Sequence, residues 1–146
     1  MAKQVVLFFS LNQDEINFLE YSQQGFSIKM IEDKLKIGGR TLEERSRILK
    51  RKMGTNKLPQ LISLSINRGY IKSFLTPAMI VLIVRPSVRE LEILDLLQQG
   101  FTFNAIGFQL TISIETVKSH KKNIFIKLNA KTITHAVAIG KHMGFI

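Results

Sequence analysis

The sequence contains no cysteine, which excludes disulfide bonds, zinc fingers and thiol catalysis. It also lacks a long apolar run. The longest, Ala78–Val84, covers seven residues, whereas a membrane-spanning helix needs about 20. We expect no secretory signal, because Val5–Phe9 gives only five consecutive apolar residues at the N-terminus. These absences favour a cytoplasmic protein without a membrane partner.

Catalytic and metal-binding motifs are missing as well. The three histidines are His120, His135 and His142, and none has metal-ligand spacing to a carboxylate. Gly38 and Gly39 form a lone pair in a predicted turn, without the rest of a phosphate-binding loop. We therefore expect no enzyme activity and no metal, cofactor or small-molecule ligand.

Acidic residues are few. The 146 residues include 21 Lys and Arg against 11 Asp and Glu, so the net charge is +10. Such an excess indicates a polyanionic partner and favours nucleic acid over an anionic membrane surface. The alternative is a basic protein whose charges only face solvent. An apolar content of 45% is enough to form a packed core.

The chain repeats itself after 75 residues. QQGF occurs at 23–26 and again at 98–101, and the match extends in both directions without a gap. Of the 71 pairs aligned by this shift, 15 are identical. Because one register holds to the last residue, we predict two domains, 1–75 and 76–146.

Each copy predicts the same elements. A short apolar strand comes first, VVLFF at 5–9 and IVLIV at 80–84. Four helices follow, near 13–24, 28–36, 40–53 and 57–68 in the first copy, and near 88–99, 103–110, 114–128 and 132–143 in the second. The predicted fold class is mainly α, with two tandem four-helix units, each preceded by a short β-strand. The two strands are candidates to pair with each other.

The second and third helices of each copy are separated by a tight turn, as in a helix-turn-helix. In the second copy the third helix sorts its residues by face. Val117, Ile124 and Leu128 form an apolar stripe, and Lys118 and Lys122 fall on another side. This helix can therefore dock on a core and present cations outward.

Residues along the second copy also occur in an ordered pattern, namely Arg89-Glu90, Leu94, Gly100, Ile106, Leu110, Ile112-Ser113, Thr116-Val117-Lys118, His120, Ile124, Lys127-Leu128 and Ala136-Val137. This pattern resembles the LuxR/GerE-type four-helix DNA-binding domain. The resemblance implies transcriptional regulation by a third helix that reads DNA, and pairing through the fourth helix. The copy departs from the pattern at Ala105 and Gly107, where the family usually has glutamate and alanine. An arginine usual early in the fourth helix is replaced by Ile133-Thr134.

The resemblance also assigns roles by position. Lys118, Ser119 and Lys122 would face the bases. The remaining candidates for DNA binding in this copy are Thr116, His120, Lys121 and Lys127. Thr116, His120 and Lys127 would serve either contact with the DNA backbone or packing between helices.

The first copy is a weaker match. At the positions of Lys118 and Ser119 it has Glu43 and Glu44, and Glu32 replaces Gly107. Its candidate DNA-binding residues are arginines of the third helix, namely Arg40, Arg45, Arg47 and Arg51. Two roles stay open for this copy, a second grip on DNA phosphates or a built-in dimer partner.

The sequence therefore predicts a sequence-specific regulator of transcription that is cytoplasmic and associated with the nucleoid. Its expected partner is double-stranded DNA, with a second copy or another regulator as candidate protein partners. The alternative is a non-enzymatic interaction protein, an anti-activator or co-regulator, that pairs with another LuxR-type domain. Glu43 and Glu44 motivate this alternative, because acidic groups repel phosphate.

Overall fold

The computed structural model describes residues 10–146. Within this range the chain forms nine helices and no strand. The helices are α1 (Gln13–Gln23), α2 (Ile28–Leu35), α3 (Gly39–Met53), α4 (Leu58–Asn67), α5 (Pro77–Val81), α6 (Val88–Gln98), α7 (Phe103–Leu110), α8 (Ile114–Leu128) and α9 (Ile133–His142). The prediction of a mainly helical fold is confirmed.

The helices α1 to α4 match α6 to α9 in length and spacing. Both series have 11, 8, 15 and 10 residues, and each helix of the second series begins 75 residues after its counterpart. No described helix is both long and apolar enough to cross a membrane.

Capping residues explain where the first helix of each series begins. Asn12 accepts a hydrogen bond from the backbone N–H of Glu15, whose side chain accepts one from the backbone N–H of Asn12. Ser87 and Glu90 repeat this capping box at α6. Each box satisfies two backbone N–H groups that a helix start would otherwise leave unpaired.

The strand predicted at 80–84 is wrong. Most of this segment belongs to α5 or to the turn that ends it. Thr76 caps α5 by accepting from the backbone N–H of Met79 at 3.3 Å, and Pro77 takes the first helical position, where its fixed φ suits a helix. The apolar residues were read correctly as structured, but local capping selected a helical turn over an extended strand.

The hypothesis that two strands pair is also removed. The other predicted strand, 5–9, lies outside the described residues. The end of the segment at 80–84 instead meets α8, where the backbone N–H of Val84 donates to the carbonyl of Lys127 at 2.7 Å. This bond ties the chain entering α6 to the C-terminal end of α8.

Two apolar cores fill the structure. Buried residues of α1 to α4 form one, and buried residues of α6 to α9 form the other. Ala138 of α9 belongs to the first core, although its neighbours Val137 and Ile139 belong to the second. The helix α9 is therefore shared, and it is buried from Thr134 to Gly140.

The two halves meet where α4 packs on α9, with α1 also against α9 and α6 also against α4. We call this contact the seam. Its two glycines face counterpart positions. A Cβ on Gly25 would lie 2.5 Å from Nδ1 of His135, and a Cβ on Gly100 would lie 3.0 Å from Oε1 of Gln60. A shift of 75 residues converts Gly25 to Gly100 and Gln60 to His135.

Hydrogen bonds across the seam follow the same relation. Gln23 of α1 and His142 of α9 are joined at 2.9 Å, between Oε1 and Nε2. Ser63 of α4 donates to Oε1 of Gln98 of α6 at 2.7 Å. Gln23 and Gln98 are 75 residues apart, and each reaches the last helix of the opposite half. The seam is thus self-complementary, as an isologous interface is.

Candidate nucleic-acid interface

The turn between α7 and α8 is closed by backbone geometry. Thr111 ends α7 in the left-handed conformation, with φ of 55°. The backbone N–H of Ile112 then donates to the carbonyl of Gly107 at 2.9 Å. A Cβ on Gly107 would lie only 2.8 Å from the carbonyl oxygen of Ile112. The glycine found where the family usually has alanine therefore lets the turn approach α7 closely.

The start of α8 is fixed by Ser113. Its Oγ accepts from the backbone N–H of Thr116 at 3.1 Å and lies 2.8 Å from the Thr116 hydroxyl. The predicted site residue Thr116 is therefore engaged in capping, and it stays close to the positive end of the α8 dipole.

The predicted two-faced character of α8 is present in the structure. Val117, Ile124 and Leu128 are at most 1% exposed and lie in the second core. Lys118 and Lys122 are exposed on the other side. Burial of the apolar stripe fixes the rotation of the helix, so the cations are held outward.

The residues predicted to face bases share one exposed surface. Lys118 Nζ lies 3.2 Å from Glu115 Oε1, and the Ser119 hydroxyl donates to the Glu115 carbonyl at 3.0 Å. Because both members of the Lys118–Glu115 pair are exposed, this pair is weak and easily exchanged for a ligand. Lys122 makes no ion pair within residues 10–146. Glu115 is a neighbour that the sequence reasoning did not single out.

Lys121 and His120 lie nearer the core. The Lys121 ammonium is 5.6 Å from the ring centre of Phe103 and 5.4 Å from that of Phe125. Two aromatic faces thus hold this cation beside the Lys118 and Lys122 surface. His120 is half-buried at the border of the helix.

Lys127 is placed differently from the other predicted cations. Its Nζ lies 2.7 Å from Oε2 of Glu90, whose side chain is 5% exposed. Burial alone would raise the pKa of Glu90. The hydrogen bond from Lys127 and the bond from the Ser87 backbone outweigh that effect and lower the pKa. Of the two roles expected for Lys127, the structure supplies the packing contact.

The third helix of the first half, α3, exposes both acids and arginines. Glu43, Glu44, Arg40, Arg47 and Arg51 are exposed. Arg47 pairs with Glu44 at 2.9 Å. Arg45 instead pairs with Asp14 of α1 at 2.7 Å, and this contact turns Arg45 away from the other predicted site residues.

Grooves of about 620 and 610 Å³ run beside α3 and α8. Glu43 and Arg47 line the first groove, and their counterparts 75 residues later, Lys118 and Lys122, line the second. The two third helices therefore present corresponding surfaces of different charge.

Glu32 and Gly39 account for the replacement of Gly107 in the first half. A Cβ on Gly39, the first residue of α3, would lie 2.6 Å from Oε1 of Glu32. The large side chain on α2 is accommodated because the facing residue of α3 has no side chain. The Glu32 carboxylate also lies at the positive end of α3, where no capping side chain is present.

The comparisons with known proteins agree with the geometry of the second half. The family model "Bacterial regulatory proteins, luxR family" matches residues 87–139. These residues form a helix-turn-helix domain of the LuxR family. The match does not include the first half.

Three relatives are similar over part of their length. LiaR, a transcriptional regulatory protein of Bacillus subtilis, is 50% identical over 48 residues, which are 33% of this chain and 23% of LiaR. The oxygen regulatory protein NreC of Staphylococcus epidermidis is 46% identical over 46 residues, 32% of this chain and 21% of NreC. DegU, a transcriptional regulatory protein of Brevibacillus brevis, is 40% identical over 58 residues, 40% of this chain and 25% of DegU. The chain thus spans about a quarter of these relatives. No solved structure matches it significantly.

Proposed function

We propose, from the LuxR-family helix-turn-helix at residues 87–139, that this protein binds duplex DNA sequence-specifically and regulates transcription. The observation that carries the proposal is the division of α8, whose apolar stripe is buried while Lys118, Ser119 and Lys122 stay exposed. A 15-residue helix is about 22 Å long and fits the major groove, which is about 12 Å wide.

Within this proposal the exposed residues have distinct tasks. Lys118 and Lys122 approach base edges, where lysine favours the O6 and N7 acceptors of guanine. Thr116, His120 and Lys121 flank that surface and contact phosphates, which position the helix without reading sequence. Lys127 contributes indirectly, because its pair with Glu90 anchors the end of α8.

We further propose that α1 to α4 are a diverged second copy, so that the division at 75 and 76 separates two related domains. Equal helix lengths and a constant 75-residue shift support this. The copy serves as a built-in dimer partner through the seam. The paired contacts Gly25–His135 and Gly100–Gln60 support this, since they are what a two-fold related pair would make.

The first copy also grips DNA in this proposal. Arg40, Arg47 and Arg51 of α3 lie on its exposed side and supply phosphate contacts. Two grips on one chain make the second contact intramolecular, which raises the overall affinity without any new contact. A regulator of this kind acts in the cytoplasm, at the nucleoid.

The test is binding of duplex DNA by the full chain as salt is raised. A protein that contacts 6 to 10 phosphates loses about 10³- to 10⁵-fold in affinity between 50 and 200 mM salt. Sedimentation of the complex should give one chain per site with two half-sites. A chain that retains no duplex at low salt does not have this function.

The alternative is an interaction protein that pairs with another LuxR-type domain, and Glu43 and Glu44 favour it. The seam weighs against it, because α9, the fourth helix of the LuxR-family domain, is already covered by α4 and α1. Capture of such a domain at low salt, without DNA binding, would decide for the alternative.

A further inference from the structure

The exposed surfaces of α3 and α8 differ most at their centres. On α8 the central residues are Lys118, Ser119 and Lys122, which carry two positive charges. The counterparts on α3 are Glu43, Glu44 and Arg47, which carry two negative charges and one positive. Both sets are exposed. A duplex that meets both helices is therefore read by two different sets of side chains.

The ends of the α3 surface are cationic. Arg40, Glu44, Arg47 and Arg51 follow one another at intervals of four, three and four residues, so they share one face. Arg40 lies in the first turn and Arg51 in the last. This face thus has cations where a helix in the major groove passes the phosphate backbones, and acids between them.

The two acids are not equivalent. Glu44 is held by Arg47 at 2.9 Å. Glu43 makes no ion pair with any residue of 10–146. An unpaired carboxylate in a groove about 12 Å wide is only partly screened from phosphates, because the Debye length is about 10 Å at 0.1 M salt. Its presence is favourable only if a base donor compensates, and the cytosine N4 amino group is the donor that glutamate accepts.

We infer that Glu43 is a specificity-determining residue that selects cytosine in the half-site read by α3, so that the chain binds an asymmetric site of two unlike halves. The inference rests on the proposed function. Arg47, oriented by Glu44, contacts guanine in the same half-site. The half read by α8 is specified by Lys118 and Lys122.

The experiment selects bound sequences from a random duplex pool with the full chain and with three variants. The wild-type chain should enrich two blocks about 10 base pairs apart, centre to centre, that are not inverted repeats of each other. Glu43→Gln should change the preference at one position of one block from cytosine to adenine, because glutamine pairs with adenine. The preference for the new base should be about 5- to 150-fold. Lys118→Ala should relax the other block only.

Asp33→Asn is the matched control, since it removes the same charge from an exposed residue of α2 in the same half. It should leave both blocks unchanged. A gain of adenine preference cannot arise from misfolding, so the Glu43 variant reports on reading itself. An inverted-repeat site, a single block, or an unchanged site with Glu43→Gln would each overturn the inference while leaving DNA binding intact. A wild-type chain that enriches nothing overturns the proposed function as well.

Discussion

Lys127 Nζ lies 2.7 Å from Glu90 Oε2, and this pair joins the end of α8 to the start of α6. Glu90 also accepts from the backbone N–H of Ser87 at 2.7 Å, so one carboxylate closes a capping box and anchors the DNA-facing helix. Lys52 and Glu15 form the same pair in the first half, also at 2.7 Å. A lysine in this position has a structural partner before any DNA arrives.

Replacing Lys127 therefore tests a packing role against a phosphate contact. Lys127→Met should destabilise the fold by about 1–3 kcal/mol, because it leaves the buried Glu90 carboxylate without its cation. The slope of affinity against salt should stay close to that of the wild-type chain. Thermal unfolding and DNA binding at several salt concentrations measure the two effects.

Lys122→Met is the matched control for this variant. Lys122 is exposed and makes no ion pair within the described residues, so its loss should leave stability within about 0.5 kcal/mol. It should reduce the salt slope by about one phosphate's share. If Lys127→Met reduced the salt slope as much and left stability unchanged, Lys127 would be a DNA contact instead.

His135 makes stability depend on pH. Burial, and then the charge of Lys131, lower its pKa from 6.5 to about 4. The unfolded chain therefore binds a proton between these values while the folded chain does not. Stability should be full above pH 6.5 and should fall as the pH drops towards 4, by on the order of 3 kcal/mol. Denaturant unfolding across this range measures the loss.

His135→Gln should flatten the profile, and the chain itself suggests that the substitution fits. Gln60 is the counterpart of His135 and faces Gly100 as His135 faces Gly25. Burial also lowers the pKa of His142, so some slope should persist until His142 is replaced as well. Below pH 4.5 the lowered pKa of Glu90 adds a further loss, which His135→Gln should not affect. A profile unchanged by both histidine variants would contradict this account.

Gly25 tests the seam. A Cβ there would lie 2.5 Å from the ring of His135, and its φ of 83° disfavours any side chain. Gly54 has a similar φ of 73°, but nothing lies within 4 Å of its Cβ position. Both alanine variants should lose about 1 kcal/mol from backbone strain. Gly25→Ala should lose a further 1–3 kcal/mol and weaken binding to a two-half site. Equal losses would show that the seam tolerates the methyl group.

The helices were predictable because their signals are local. Asn12 with Glu15, and Ser87 with Glu90, mark helix starts whatever the rest of the chain does. The failure at 80–84 has a physical reason too. Seven apolar residues fit a strand or a helix equally by composition, and the cap at Thr76 decided the outcome.

Contacts between distant residues were less accessible to sequence reasoning. The 75-residue shift identified counterpart positions, but it did not indicate that Gly25 would meet His135 or that Lys127 would be paired with Glu90. Such contacts depend on how α4 and α9 pack, and a single sequence contains no periodicity that reports it. The outward direction of Lys118 and Lys122 was predictable, since it follows from the apolar stripe of the same helix.

Gly39 and Gly107 should respond oppositely to alanine, although each lies at the contact between the second and third helices of its half. A Cβ on Gly107 would lie 2.8 Å from the Ile112 carbonyl oxygen, a backbone atom that cannot move without opening the turn. Gly107→Ala should therefore cost about 1–3 kcal/mol. A Cβ on Gly39 meets only the end of the flexible Glu32 side chain, which can rotate away. Gly39→Ala should change stability by less than about 0.5 kcal/mol, because a better helix former offsets the displaced carboxylate. Chemical denaturation of both variants measures the difference, and a larger loss for Gly39→Ala would mean that Glu32 is fixed at the start of α3.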